Sequence, residues 1–249
     1  MLQVHSDLHL ETRVNLVHIP VKGDYLALLG DIGNPLSNVY QYLLAECCDN
    51  FKHVIVLAGN HEYQHMHPVP QVTEAIERFV QSKQNCIYLN NEDILVKGTR
   101  LIGSTFWTRV PPHAEEAALA QMSDYRRIYM TEYGRLTVDA TNTWHDEAVQ
   151  FIDSRLRSDP VTPTVVLTHH PPIDSDLMHP PAFRLSPIRS CYASDNSQLL
   201  RRPVYTWAFG HTHQAVDLVE NGVRLLSNPL GYNHEAYETD IQAALIKLF

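Results

Sequence analysis

The stretch Val54-Ile55-Val56-Leu57-Ala58-Gly59-Asn60-His61-Glu62 decides how the rest of the chain reads. A short β-branched apolar run ends in glycine and then delivers an amide, an imidazole and a carboxylate in three consecutive positions, the pattern of a buried strand emptying into a functional turn. Four other apolar runs end the same way. Leu2 to His5 runs into Ser6-Asp7-Leu8-His9, and Tyr25 to Leu29 into Gly30-Asp31-Ile32-Gly33. Val165 to Leu167 runs into Thr168-His169-His170-Pro171-Pro172, and Tyr205 to Phe209 into Gly210-His211-Thr212-His213. In open α/β sheets, ligands gather beyond the carboxyl ends of strands. Five such ends rich in oxygen and imidazole donors therefore predict one shared site.

Helical spacing separates the strands. Val39, Tyr42, Leu43, Glu46 and Cys47 share one expected helix face; Val72, Ala75, Ile76, Phe79 and Val80 share another; Trp144, Ala148, Phe151, Ile152 and Leu156 share a third. Lys97-Gly98 and Asn221-Gly222 mark hairpin turns, and Gln242 to Phe249 reads as a closing strand. A helical excursion with loops at its ends is expected over Pro111 to Arg135, and irregular chain over the proline-rich Pro171 to Pro187. The expectation is one domain over 1–249, with lid segments at 108–135 and 171–198.

Composition narrows the function. With 249 residues, 44% of them hydrophobic, the chain can bury a substantial core. A net charge of -9 without a Lys/Arg cluster argues against wrapping an extended nucleic acid. No apolar run reaches the roughly 18 residues of a membrane span and no leader pattern opens the chain, so a soluble cytoplasmic protein is expected. The cysteines Cys47, Cys48, Cys86 and Cys191 have no zinc spacing and read as reduced structural thiols. Neither a Gly-Lys-Ser/Thr phosphate loop nor a G-x-S-x-G elbow is present, which removes two other catalytic classes. Mixed carboxylate, amide and imidazole donors suit borderline divalent cations, and a single carboxylate can bridge two of them. Asp31 is the candidate bridge.

The ordered blocks Asp7-x-His9, Gly30-Asp31, Gly59-Asn60-His61-Glu62, His169 and Gly210-His211-x-His213 resemble the calcineurin-like metallophosphoesterase family. The resemblance spans Asp7 to His213. It implies a four-layer α/β/β/α sandwich of two mixed sheets flanked by helices. It also implies two divalent metal ions, among Mn, Fe, Zn, Ni and Mg with Mn favoured. One ion would take Asp7, His9, Asp31 and His213; the other would take Asp31, Asn60, His169 and His211. A hydroxide shared by the ions would attack a phosphate ester, with His61 assisting the leaving group and Glu62 orienting His61.

Simpler readings accompany several of these residues. Asp7 and His9 alone make an ordinary strand-end turn, and Asn60 is a common turn former. His170 competes with His169 as the ligand; His169 is preferred, with His170 and Asn60 near substrate. Arg126, Arg127 and Arg184 are weak phosphate-binding candidates against the commoner solvated arginine. His65 and His67 fit a surface loop equally well, and Gly231-Tyr232 fits either a site border or a plain turn. The expected substrate is a small phosphorylated molecule, a nucleotide diester ahead of a monoester. A protein Ser/Thr phosphatase and a non-catalytic binding module on this scaffold are the alternatives, and the sequence defines no oligomeric state.

Overall fold

The computed structural model of the chain describes residues 1–235 and 243–249. In chain order the strands begin with β1 (Leu2–His5), β2 (Tyr25–Leu29), β3 (His53–Leu57), β4 (Cys86–Tyr88), β5 (Glu92–Val96) and β6 (Thr99–Ser104). They continue with β7 (Thr164–Thr168), β8 (Val204–Phe209), β9 (Val216–Glu220), β10 (Val223–Ser227) and β11 (Ala244–Ile246). The principal helices are α1 (Asn38–Asn50), α2 (Val69–Gln81), the short α3 (Glu115–Gln121) and α4 (Asp124–Arg127), and α5 (Val138–Ser158).

Two mixed sheets result. The first has the order β11-β1-β2-β3-β4, parallel except for β11; the second has the order β5-β6-β7-β8-β10-β9, with antiparallel partners at both edges. Period-two alternation on buried strands sends side chains to two different cores. Tyr25, Ala27, Leu29, Ile55 and Leu57 pack between the sheets against Leu101, Val165, Leu167 and Ala208. Their neighbours Leu26, Leu28, Val54 and Val56 face outward onto Tyr40, Leu43, Leu44 and Cys47 of α1. On the other side, Ile102, Val166, Trp207 and Leu225 receive Ala148, Ile152 and Leu156 of α5. Helix, sheet, sheet, helix is the expected four-layer sandwich.

Both hairpins form at the expected dipeptides, where Lys97, Gly98, Asn221 and Gly222 all take positive φ. The expected face of α1 needs correction. Tyr40, Leu43, Leu44 and Cys47 are buried, whereas Val39 and Tyr42 are exposed. The expected register begins one residue early, and one residue turns a helix by about 100°, enough to put Val39 and Tyr42 outside. The closing strand is shorter than expected, with Ala244–Ile246 antiparallel to β1, and Gln242 lies outside the described residues. All four cysteines are free and buried. No helix among the described residues is long and apolar enough to cross a membrane.

The two long insertions differ in kind. In 108–135, Ala114, Ala118, Met122, Tyr125 and Ile128 pack onto Tyr63, Val72, Ile76 and Trp107, so this segment has a core of its own. The 171–198 segment carries only short 3-10 turns, such as Asp176–Met178 and Pro181–Phe183. That is what its proline content allows.

Candidate metal centre

The ends of β1, β2, β3, β7 and β8 meet. Asp7 N–H donates to the Gly30 carbonyl, and Gly210 N–H to the His169 carbonyl. His169 Nδ1 lies 2.8 Å from the Leu29 carbonyl. Packing at these turns leaves no room for side chains. A Cβ on Gly59 would lie 2.2 Å from Asp31 Oδ1, and one on Gly210 would lie 2.5 Å from Asp7 Oδ2. Asp7, His9, Asp31, His211 and His213 all have positive φ, a region that residues other than glycine seldom occupy.

These turns present two groups of donor atoms, and a third, His9 with Glu11 and His61, lies beside them. Asp7, His9 and His213 form the first, and Asp31, His169 and His211 the second; within each, the donor atoms lie within 4.8 Å of one another. Asn60 Oδ1 joins the second, 3.1 Å from His169 Nε2 and 3.2 Å from His211 Nδ1. Asp31 faces both. Its Oδ1 is 3.3 Å from His169 Nε2, while its Oδ2 is 3.7 Å from His9 Nε2.

The atoms behind each donor fix which lone pair points inward. His9 Nδ1 lies 2.9 Å from Glu11 Oε1, and His213 Nδ1 lies 2.5 Å from Glu235 Oε2. These carboxylates accept from the Nδ1 positions, so the two Nε2 atoms confront each other at 2.9 Å. A cation relieves that confrontation. His169 Nδ1–H donates a hydrogen bond to the Leu29 carbonyl and turns Nε2 inward. His211 is held neutral, its pKa well below the usual value because of burial and the neighbouring His170 and His169. Its Nε2 is buried without a partner, while Nδ1 faces Asn60 and His169. Asn60 Nδ2 donates to Asp124 at 2.9 Å, which leaves Oδ1 facing the histidines. Backbone amides hold the carboxylates: His211 N–H bonds Asp7 Oδ1 at 2.9 Å, and His61 N–H bonds Asp31 Oδ1 at 2.8 Å. All seven expected ligand residues are thus together, and their oxygen and imidazole donors could hold divalent metal.

His61 stands beside the two groups, with Nδ1 3.1 Å from Glu11 Oε1 and Nε2 3.1 Å from the Tyr232 hydroxyl. Burial opposes its positive charge, but Asp31 and Glu11 outweigh burial and lift its pKa to about 9. Glu62 does not bond its ring. That fully buried carboxylate turns to the backbone and accepts from the amides of Asp31, Ile32 and Gly59 at 2.7–2.9 Å. Glu62 is therefore a clamp between two strand-end turns, and Glu11 is the carboxylate against His61. His170 packs its ring 4.0 Å from that of His211 and bonds the Thr105 carbonyl through Nδ1, which identifies His169 as the inward-facing member of the pair.

A cleft of about 260 Å³ opens over the centre, lined by Asp31, Asn60, His61, His211, Met122, His179, Phe183, Tyr192 and Tyr232. Both insertions contribute walls, yet the expected arginines do not. Arg126 bonds the Ala120 and Gln121 carbonyls at the end of α3, and Arg184 bonds the His179 carbonyl. Neither lines the cleft, because each finds unpaired carbonyls in its own segment first. His67 bonds Gln71, and neither it nor His65 joins the donor groups. Glu11, Asp124 and Glu235 went unread in the sequence. Glu11 had a signal, two residues beyond His9; Asp124 and Glu235 had none.

A sequence profile described as calcineurin-like phosphoesterase matches residues 4–215, and the chain belongs to that family. An uncharacterised protein of Acanthamoeba polyphaga mimivirus is 29% identical over 223 residues, which cover 85% of this chain and 79% of that one. Among solved structures, a phosphopantetheinyl hydrolase (PptH) from Mycobacterium tuberculosis superposes with a TM-score of 0.70 at 17% identity, covering 94% of this chain and 90% of that chain. The likeness to the latter is one of fold.

Proposed function

We propose that this chain hydrolyses small phosphate esters, a nucleotide diester foremost, with two divalent cations, manganese favoured, held by Asp7, His9, Asp31 and His213 and by Asp31, Asn60, His169 and His211. The observation that carries this reading is Asp31, whose two carboxylate oxygens face the two donor groups separately. Cations bound there would supply Lewis acidity that activates water near neutral pH and offsets phosphate charge. The chain's own residues do the rest. His61 occupies the cleft wall beside Asp31, where it can hydrogen-bond or protonate the departing oxygen. Glu11 holds its Nδ1 and fixes the direction of Nε2. The enclosed cleft and its aromatic side chains Phe183, Tyr192 and Tyr232 favour a small organic phosphoester.

The test is to strip the protein of metal, reload it with Mn, Zn, Fe or Mg, and assay mono- and diesters. The panel includes a nucleotide diester and, because of the fold relative's name, a phosphopantetheinyl ester. Hydrolysis is expected only after reloading. His61→Ala should keep both ions and lose about 10²- to 10⁴-fold in kcat. Full activity in the stripped protein would overturn the reading.

A further inference from the structure

Tyr232 lines the same cleft as His61 and Asp31. Its ring centroid lies 4.2 Å from that of His9 and 4.8 Å from that of His213, and its hydroxyl is 3.1 Å from His61 Nε2. The turn around it is fixed at several points. Gly231, at φ 74°, donates to the Asp7 carbonyl at 3.0 Å, and the Arg13 guanidinium bonds the Gly231 carbonyl. Tyr232 N–H bonds Glu235 Oε2 at 2.9 Å, the carboxylate that also holds His213 Nδ1.

A phenylalanine would pack against His9 and His213 equally well, so the hydroxyl needs a reason of its own. A phenol keeps its proton at neutral pH and offers one donor and two acceptor positions. His61 takes one position, and among the described residues no second protein partner bonds this hydroxyl. Because His61 Nε2 and the hydroxyl are 3.1 Å apart on one cleft wall, an oxygen that reaches one comes within hydrogen-bond range of the other.

We propose that Tyr232 is a further catalytic residue, whose hydroxyl donates a hydrogen bond to the phosphoryl oxygen that His61 approaches on the departing side. The assignment rests on the phosphoesterase reading above. It makes the recognition of that oxygen two-sided, with imidazole and phenol converging on it.

Tyr232→Phe, compared with wild type in the manganese-loaded protein, tests this in three readouts. Metal content should stay unchanged, since the ring packing survives. Affinity for inorganic phosphate, by calorimetric titration, should fall about tenfold for one lost hydrogen bond to a charged group. Turnover of a thymidine diester with an alkoxide leaving group should fall about 10²-fold, and turnover of its p-nitrophenyl counterpart, whose leaving group needs no assistance, should fall much less. Unchanged phosphate affinity or loss of the ions overturns the proposal, and equal losses on both esters overturn the placement on the departing side. A wild type that binds phosphate but hydrolyses neither ester sinks the phosphoesterase reading, and the phosphate affinity of Tyr232→Phe then decides the contact on its own.

Discussion

Asn60 contributes to the second donor group only while its amide is held the right way round. Its oxygen and nitrogen are nearly the same size, and what distinguishes them here is Asp124, buried 2.9 Å from Nδ2. Gln64 bonds the same Asp124 oxygen. Burial pushes the Asp124 carboxyl upward in pKa, and the bonds from Asn60 and Gln64 work against that. Asp124→Ala should free the amide to rotate and weaken manganese binding about 10- to 100-fold, read by metal titration of the stripped protein, with the fold retained by circular dichroism. Unchanged affinity would remove Asp124 from the centre. The contact was not legible in the sequence. Asp124 lies 64 positions beyond Asn60 in an insertion whose path depends on its packing against Trp107 and Val72, not on local pattern. His61, Asn60 and His169, by contrast, were legible because each follows an apolar run directly.

At the scale of elements, five residues in three of the strand-end turns, those after β1, β2 and β8, carry backbone strain. Each positive-φ residue among Asp7, His9, Asp31, His211 and His213 costs about 1–3 kcal/mol, so the surroundings must hold these turns in place. Glu62 is one such restraint, tying the turn after β2 to the turn after β3 through the amides of Asp31, Ile32 and Gly59. Glu62→Ala leaves these buried donors without partners. It should destabilise the fold by at least about 3 kcal/mol, a fall in Tm of roughly 6–12 °C for a chain of this size. Thermal unfolding measures it, and an unchanged Tm would show that the turns hold themselves. Elements with a hydrophobic period were readable, down to the hairpin dipeptides. The inner face of α1 missed by one residue because Val39 and Tyr42 are apolar and yet solvent-exposed, so the apolar pattern alone offered two overlapping faces. The arginines differ for a related reason, since Arg126 and Arg184 turn to carbonyls in their own segments, which no hydrophobic period marks.

At the scale of the molecule, histidines buried in the neutral state make folding sensitive to acid. His5, bonded to Gln3 and Asn228, is lowered by burial to about 4, and His170 by burial and His169 to about 3. The unfolded chain protonates such groups near pH 6.5. Their stabilisation is therefore complete above that pH and declines below it, by about 1.4 kcal/mol per pH unit for each histidine. Glu62, pushed up by burial and Asp31 to about 7, works the other way over the same window. His211, likewise held neutral by burial, adds to the histidine side, so the metal-free protein is expected to be less stable at pH 5 than at pH 6.5, measurable by urea unfolding. Equal or greater stability at pH 5 would contradict the assignment of His5 and His170 as neutral.

The four-layer arrangement brings seven side chains from five strand ends together, six of them around the Asp31 carboxylate, and counting bound manganese tests that arrangement most directly. Stripped wild type titrated with manganese should take up two ions per chain and gain phosphodiesterase activity as the ions bind. Asp31→Asn, which keeps the shape but removes the shared charge, should fail to hold the pair and lose turnover. An Asp31→Asn protein that still binds two ions at wild-type affinity would contradict the shared-carboxylate centre.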